Sequence, residues 1–171
     1  SILAACEQGI SHQRISERLP QYRPSTLRAA SFLGRGRTYF VDCYNANPSS
    51  MKDSIEFFST KFQGTPKLYV FGGMEELGEQ GMSLHEEVGA TTKVEPADLF
   101  VMIGEKASWI APGLLSSGAV PEQLMILKGL DSARSLVEDF HGAVLLKGSR
   151  SHGLEELLPS WAVEEGKGLE C

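Results

Sequence analysis

Five short apolar runs punctuate the chain without a polar break: Tyr39-Phe40-Val41, Leu68 to Phe71, Leu99 to Ile103, Leu124 to Leu127, and Ala143 to Leu146. A strand with one face in water alternates apolar and polar residues, so an unbroken run asks for cover on both faces. Parallel strands sandwiched between helices meet that demand. Between the runs the apolar period lengthens to that of a helix: Met51, Ile55, Phe58 and Phe62 share one face, as do Ala133, Leu136, Val137 and Phe140, and again Leu154, Leu157, Leu158 and Trp161. Strand and helix therefore alternate. The expected fold class is α/β, a Rossmann-like and mostly parallel sheet flanked by helices on both faces.

Local signals refine this frame. Asn47 before Pro48 reads as N-cap and first helical residue, Ser83 with Glu86 as a capping box, and Asp131 as the cap of a later helix. Leu33-Gly34-Arg35-Gly36-Arg37 precedes a strand and opens no helix, so its glycines predict a hairpin turn joining residues 27–33 to 37–41. The first residues differ from the rest. Ile2, Leu3 and Cys6 suggest the end of one helix, and Ser11 can cap another carrying Ile15 and Leu19, before Pro20 and Pro24 break the pattern. They read as a short helical remnant of a preceding domain, with Gln21 to Thr26 as linker and hinge. The chain begins at Ser1 without an initiator Met or a basic segment before an apolar stretch, so it is expected to be a piece of something longer with no signal peptide.

Composition narrows the partners. Sixteen Lys and Arg against 22 Asp and Glu leave a net charge of −6, a field that disfavours the phosphates of nucleic acid. No apolar run approaches the roughly 20 residues of a membrane span. Cys6, Cys43 and Cys171 are far apart with no metal-ligand spacing, so a reducing compartment is expected and neither a disulfide framework nor a zinc site.

In an open parallel sheet the ligand crevice lies beyond the carboxyl ends of the strands. Four segments fall there: Asp42 to Pro48, Gly72 to Gly78, Gly104-Glu105, and Lys147-Gly148-Ser149-Arg150. In the first, a carboxylate can accept two hydroxyls of a ribose and the carboxamides of Asn45 and Asn47 can serve a base or peptide group; a capped turn with a solvated Asp42 explains the same residues. The second carries Glu75, Glu76 and Glu79 and no G-K-[ST], so it is no phosphate-binding loop and reads as a mobile acidic loop. The last offers an ammonium, a hydroxyl and a guanidinium, suited to an anion or to capping the helix expected near Gly153. His85, His141 and His152 are scattered and read as surface or packing residues.

Taken in order, Leu27-Arg28, Asp42-Cys43-Tyr44-Asn45-Ala46-Asn47-Pro48-Ser49-Ser50-Met51, Gly72-Gly73-Met74-Glu75-Glu76-Leu77-Gly78, Leu84-His85-Glu86-Glu87-Val88-Gly89 and Leu146-Lys147-Gly148-Ser149-Arg150 resemble the Mur ligases. The N-A-N-P and K-G-S-R strings resemble the members that join D-alanyl-D-alanine to UDP-N-acetylmuramoyl-tripeptide in peptidoglycan precursor synthesis. The resemblance implies that residues 1–24 end a central ATPase domain and that 25–171 form the C-terminal domain of an ATP-dependent ligase, cytoplasmic and monomeric, using ATP and Mg2+. It matches Arg28 to the arginine reaching the ATP phosphates and Asp42 to the acid on the nucleotide ribose. Asn45 and Asn47 match carboxamides of the nucleotide cleft, and Lys147, Ser149 and Arg150 the loop for the acceptor substrate. Catalytic groups and metal ligands are implied elsewhere, in the central domain. Two positions depart from the pattern: Gly73 stands where Asp is usual and Cys43 where Ser is common. A sister Mur ligase, a relative of folylpolyglutamate synthase and a non-catalytic nucleotide-binding module are the alternatives.

Phosphoryl transfer needs a phosphate cradle and metal ligands to stabilise developing charge, and this sequence has no G-x-x-x-x-G-K-[ST]. The chain alone is accordingly expected to release no phosphate from ATP above a buffer blank, in magnesium or in chelator.

Overall fold

A computed structural model describes residues 2–19 and 27–165. The expected linker and hinge, Gln21 to Thr26, and the end of the chain with Cys171 lie outside the described residues. At the start, α1 (Ile2–Glu7) and α2 (His12–Arg18) form the two expected short helices. Ser11 caps the second, its Oγ accepting from the Arg14 amide at 3.3 Å.

The five apolar runs all become strands, and a sixth strand precedes them. β1 (Ala30–Gly34) and β2 (Arg37–Asp42) form the hairpin, followed by β3 (Lys67–Phe71), β4 (Leu99–Ile103), β5 (Leu124–Leu127) and β6 (Ala143–Lys147). Across the sheet the order is β1-β2-β6-β3-β4-β5, antiparallel only between β1 and β2. Arg35 and Gly36 turn the hairpin with positive φ at both positions, 52° and 73°, as the twist of a two-residue turn requires. At the centre of the sheet, β3 and β6 are buried along their whole length, which is why their sequences show no alternation.

Period two deals the strand residues to two cores. Phe40, Tyr69, Phe71, Phe100, Met102 and Leu145 face one side, where they meet Met51, Ile55 and Phe58 of α3 (Pro48–Lys61), Val88 of α4 (Gly81–Ala90) and Leu114 of α6 (Ala111–Ser116). Tyr39, Val41, Leu68, Val70, Val101, Val144 and Leu146 face the other, against Ala133 and Val137 of α7 (Asp131–Asp139) and Trp161 of α8 (Ser160–Glu165). Each large apolar side chain so buried contributes about 1.5–3 kcal/mol. The short α5 (Glu105–Ser108) leads from β4 toward α6.

Three local expectations are corrected. The face Leu154, Leu157, Leu158 and Trp161 is no single helix: Leu154–Leu157 is a 3-10 turn, Leu158 is extended at φ −67°, ψ 121°, and α8 starts after Pro159. A proline clashes with a helical residue before it and offers no amide, so the helix breaks there while its apolar residues still reach the core. Ser83 is not a cap, because α4 begins at Gly81 behind a 3-10 turn over Gly78–Gln80, and its Oγ donates to the Gln80 carbonyl instead. The cap position before α7 is Leu130, with Asp131 one place inside. Asn47, by contrast, caps α3 as expected, with Ser50 completing a reciprocal pair.

The helices α4 and α6 cross at glycines. A Cβ at Gly113 would overlap the Glu86 carbonyl and lie 2.6 Å from the Ala90 amide nitrogen, and one at Gly89 would overlap the Ile110 carbonyl. Gly113→Ala is expected to destabilise the domain by about 3 kcal/mol, since backbone on both sides leaves nothing to yield. Gly129→Ala, where a Cβ meets nothing within 4 Å, is the control expected to stay within about 0.5 kcal/mol. Urea unfolding of both variants reads the difference.

Candidate functional site

Chain connections place the crevice. After β2, β3 and β4 the chain passes to helices on one face, α3, α4 and α6, whereas after β6 it passes to the opposite face, toward Leu154, Leu157 and α8. Loops that part to opposite faces leave a cleft at the strand ends, and β6 lies between β2 and β3. Asp42, Gly72-Gly73 and Lys147 to Arg150 therefore rim one cleft, with Gly104 beside it.

Glycines form the floor. The Gly72 amide donates to the Lys147 carbonyl at 2.9 Å and the Ser149 amide to the Gly73 carbonyl at 3.1 Å, so the β3–β6 pairing runs past the strands. A Cβ at Gly148 would sit 2.7 Å from the Gly72 Cα. No other residue permits that approach. The His152 ring packs beneath, close enough that a Cβ on Gly72 would lie 2.9 Å from it, and its Nε2 accepts the Gly73 amide at 3.0 Å.

Asp42 and Lys147 are bound to each other. The Lys147 ammonium, 1% exposed, lies 3.0 Å from Asp42 Oδ2 and donates to the Asn45 carbonyl at 2.8 Å. Asp42 also accepts from Ser54 Oγ at 2.5 Å and from the Ala29 amide at 3.3 Å. The carboxylate is thus neither simply solvated nor free; a carboxylate has about four acceptor sites, and three donors occupy it here. Lys147 in turn presents no ammonium to the cleft. Of the cations in its loop, Arg150 is the exposed one, with Ser149 half-buried next to it.

Asn47 spends its side-chain oxygen on the Ser50 amide at 2.8 Å, and Asn45 Oδ1 accepts from the Ala46 amide at 2.9 Å, leaving both carboxamide NH2 groups on exposed residues. Arg28 is also exposed, its guanidinium carbon 3.9 Å from the centre of the Tyr44 ring. Arg150 approaches the same ring at 5.6 Å. Of the sequence-derived residues, then, the structure gathers Arg28, Asp42, Asn45, Lys147, Ser149 and Arg150 around one loop, and holds Asn47 one turn away as a helix cap.

The acidic segment is less of a solvated loop than expected. Gly72 to Met74 are buried, and the Met74 amide donates to His85 Nε2 at 2.9 Å. Glu75 pairs with Lys106 and approaches His152 Nε2 at 3.4 Å, and the Lys106 hydrogen bond holds its carboxyl below the usual range. Only Glu76 and Glu79 stand in solvent. Burial lowers the pKa of His85, whose other nitrogen donates to the Gly81 carbonyl at 2.6 Å, so it is a neutral packing residue. Burial pushes the Cys43 thiol up to about 12, and it donates to Glu155 at 3.6 Å. That thiol is inert. Among the described residues no cluster of His, Cys, Asp or Glu suits a metal, and no helix is long and apolar enough to cross a membrane.

Sequence reasoning missed Tyr44, Ser54 and His152 as parts of the site. Tyr44 stood inside the Asp42-to-Pro48 segment but its role depends on arginines distant in sequence, and Ser54 reaches Asp42 from another element; the nearness of His152 to the K-G-S-R string was the pointer to it.

The family described as "Mur ligase, glutamate ligase domain" matches residues 28–150. The UDP-N-acetylmuramoyl-tripeptide--D-alanyl-D-alanine ligase of Treponema pallidum is 29% identical over 165 residues, covering 92% of this chain and 34% of that protein. Among solved structures, MurF from Acinetobacter baumannii is similar with a TM-score of 0.74 at 24% identity, over 92% of this chain and 34% of that one. MurF ligase from Thermotoga maritima, in complex with ADP, has a TM-score of 0.69 at 23% identity, over 97% and 37%. The chain spans about a third of the length of these relatives.

Removing one member of a buried ion pair strands the other. Lys147→Met is expected to cost about 3 kcal/mol in urea unfolding, and adding Asp42→Asn to recover part of it, because the pair loses its charges together. Additive losses in the double variant would show that the two side chains act separately.

Proposed function

Since this chain belongs to the Mur ligase family, as its glutamate ligase domain, we propose that it is the C-terminal domain, residues 25–171, of an ATP-dependent ligase that joins D-alanyl-D-alanine to UDP-N-acetylmuramoyl-tripeptide. The observation that carries the reading is the cleft at β6, where the N-A-N-P turn and the K-G-S-R loop meet through Lys147, Asp42 and Asn45. The relative from Treponema pallidum, whose name states this reaction, supports it over 92% of the chain. An ADP-bound neighbour supports nucleotide use.

In this reading ATP phosphorylates the terminal carboxylate of the tripeptide, the amine of the dipeptide attacks the acyl phosphate, and inorganic phosphate leaves as the amide forms. The domain's own residues bind and orient. Arg28 meets the nucleotide phosphates. Asp42 has one acceptor position left for a ribose hydroxyl, its carboxylate held in place by Ser54, Lys147 and the Ala29 amide. Asn45 and Asn47 are exposed, and with their side-chain oxygens taken by the Ala46 and Ser50 amides each keeps an NH2 group to donate. The incoming dipeptide must present a neutral amine to the acyl phosphate, so it is oriented by its carboxylate, for which Arg150 and Ser149 are the groups available; Lys147 acts from behind, by setting Asp42 and Asn45. In this reading the Mg2+ of the reaction is held by the rest of the enzyme. The reading places a monomeric enzyme in the cytoplasm, where ATP is supplied.

The test is acceptor-dependent ATP turnover by the intact ligase. D-alanyl-D-alanine is expected to support turnover and glutamate to fail; the reverse would move the chain to a sister ligase. Arg150→Ala is expected to raise the dipeptide KM about tenfold or more, the loss of a charge-assisted hydrogen bond worth about 1.5–3 kcal/mol, with kcat retained. An unchanged dipeptide KM would send the acceptor elsewhere.

A further inference from the structure

Gly73 is held at both of its backbone polar groups by the turn after β6. Its carbonyl accepts from the Ser149 amide at 3.1 Å, and its amide donates to His152 Nε2 at 3.0 Å. The second contact belongs to no ladder. A side chain makes it, from the far end of the 3-10 turn Arg150–His152, which the His152 amide closes on the Ser149 carbonyl at 3.0 Å. Ser149 and Arg150 therefore lie between two anchors on one residue. Two further hydrogen bonds, from Ser151 Oγ to Ser149 Oγ and from the Gly153 amide to the Arg150 carbonyl, stay inside the turn and fix nothing to the sheet.

The ring is seated among glycines. A Cβ at Gly72 would lie 2.9 Å from it, one at Gly73 3.2 Å from Nε2, and one at Gly104 3.9 Å from Nδ1. A Cβ at Gly73 would also come within 2.8 Å of the Lys106 side chain, so the bare backbone there is what admits both neighbours. A backbone N–H can only donate, so Nε2 accepts with its lone pair and the proton of the neutral ring sits on Nδ1. Glu75 Oε1 stands 3.4 Å from the same Nε2, but a ring that accepts from Gly73 has no proton there to give, and Lys106 occupies that carboxylate instead.

We propose that His152 is a positioning residue for the acceptor substrate: with Nε2 on the Gly73 amide, its neutral ring docks the Ser149–Arg150 turn on the chain leaving β3, and so sets the two groups that receive the carboxylate of the incoming dipeptide. The inference deepens the proposed ligase reading and rests on it for the identity of the ligand, though not for the docking itself. The nucleotide side of the cleft is secured separately. Asp42 and Lys147 are neighbours in the β2–β6 pairing and are joined by their charges, a link that does not pass through His152. Losing the ring frees the acceptor side and leaves the nucleotide side in place.

Kinetics of the intact ligase with each substrate test this. His152→Ala is expected to raise the dipeptide KM about five- to tenfold, with the ATP KM and kcat within about twofold of wild type. His152→Gln, whose side-chain oxygen can stand in for Nε2 as acceptor, should restore the dipeptide KM to within about twofold. In an Arg150→Ala background His152→Ala should add less than about twofold, because the group it positions is already gone. An ATP KM that rises as far as the dipeptide KM, a fully multiplicative double variant, or a Gln variant no better than Ala overturns the proposal. Should His152→Ala fail to fold, His152→Gln and His152→Asn decide: the shorter amide cannot reach Gly73 and should raise the dipeptide KM alone, and equal values for the two overturn it. If Arg150→Ala itself leaves the dipeptide KM unchanged, the acceptor site of the ligase reading falls, and amide hydrogen exchange in the intact enzyme judges the docking by itself. Exchange at Gly73 and Ser149 about tenfold faster in His152→Ala, and at the wild-type rate in His152→Gln, keeps it; equal rates in all three sink it.

Discussion

A single ammonium organises the functional end of the domain. Lys147 closes β6, the central strand at which the chain connections change face, and its charge is fully enclosed. An enclosed ammonium must be satisfied, so whatever packs around it is dictated: the carboxylate of Asp42 from the neighbouring strand and the carbonyl of Asn45 from the turn beyond it. Through Asp42 the demand extends to Ser54 on α3 and to the backbone at Ala29. The turn that carries Tyr44, Asn45 and Asn47 is therefore shaped by the strand beside it and not by its own residues alone.

A second enclosed ammonium works at the opposite end of the sheet. Lys67 opens β3 and meets Glu95 at 2.7 Å and Asp98 at 3.0 Å, fastening the loop that leads into β4. The two central strands thus end in buried lysines at opposite poles. One pole serves only to close the fold, with two carboxylates on one cation. At the other, a single carboxylate and a carbonyl share the cation, and the chain next to them stays open to a ligand.

How much of this can be read from residues alone depends on the range of the forces involved. The strands are legible because continuous burial leaves continuous apolarity, and α3 because Asn47-Pro48 is a local signal obeyed locally. The short α5 and α6 escape notice since they bury few residues and α6 contains Pro112 and Gly113, poor markers of a helix. Leu154 to Trp161 shows apolar positions correctly and their secondary structure wrongly, because tertiary burial tolerates a break that Pro159 enforces. In the candidate site, the placing of Asp42, Asn45, Lys147, Ser149 and Arg150 at or just beyond strand ends was legible, but not the states of their side chains. A lysine in a loop-like string reads as a free cation; only the pairing of β2 with β6 reveals that Asp42 lies alongside and neutralises it. Tyr44 illustrates the same limit, since a ring acquires its meaning from two guanidiniums that arrive from elsewhere.

The hairpin at the edge of the sheet does more than cover β2. Pairing Ala30 with Val41 brings the chain leading into β1 against the end of β2. Two hydrogen bonds seal that contact, from the Ala29 amide to Asp42 and from the Tyr44 amide to the Leu27 carbonyl. The chain entering β1 is consequently stitched to the turn after β2 at two points. Residues 27–29 and the turn that carries Asp42 and Tyr44 therefore share one backbone frame, and a shift in either is felt by the other.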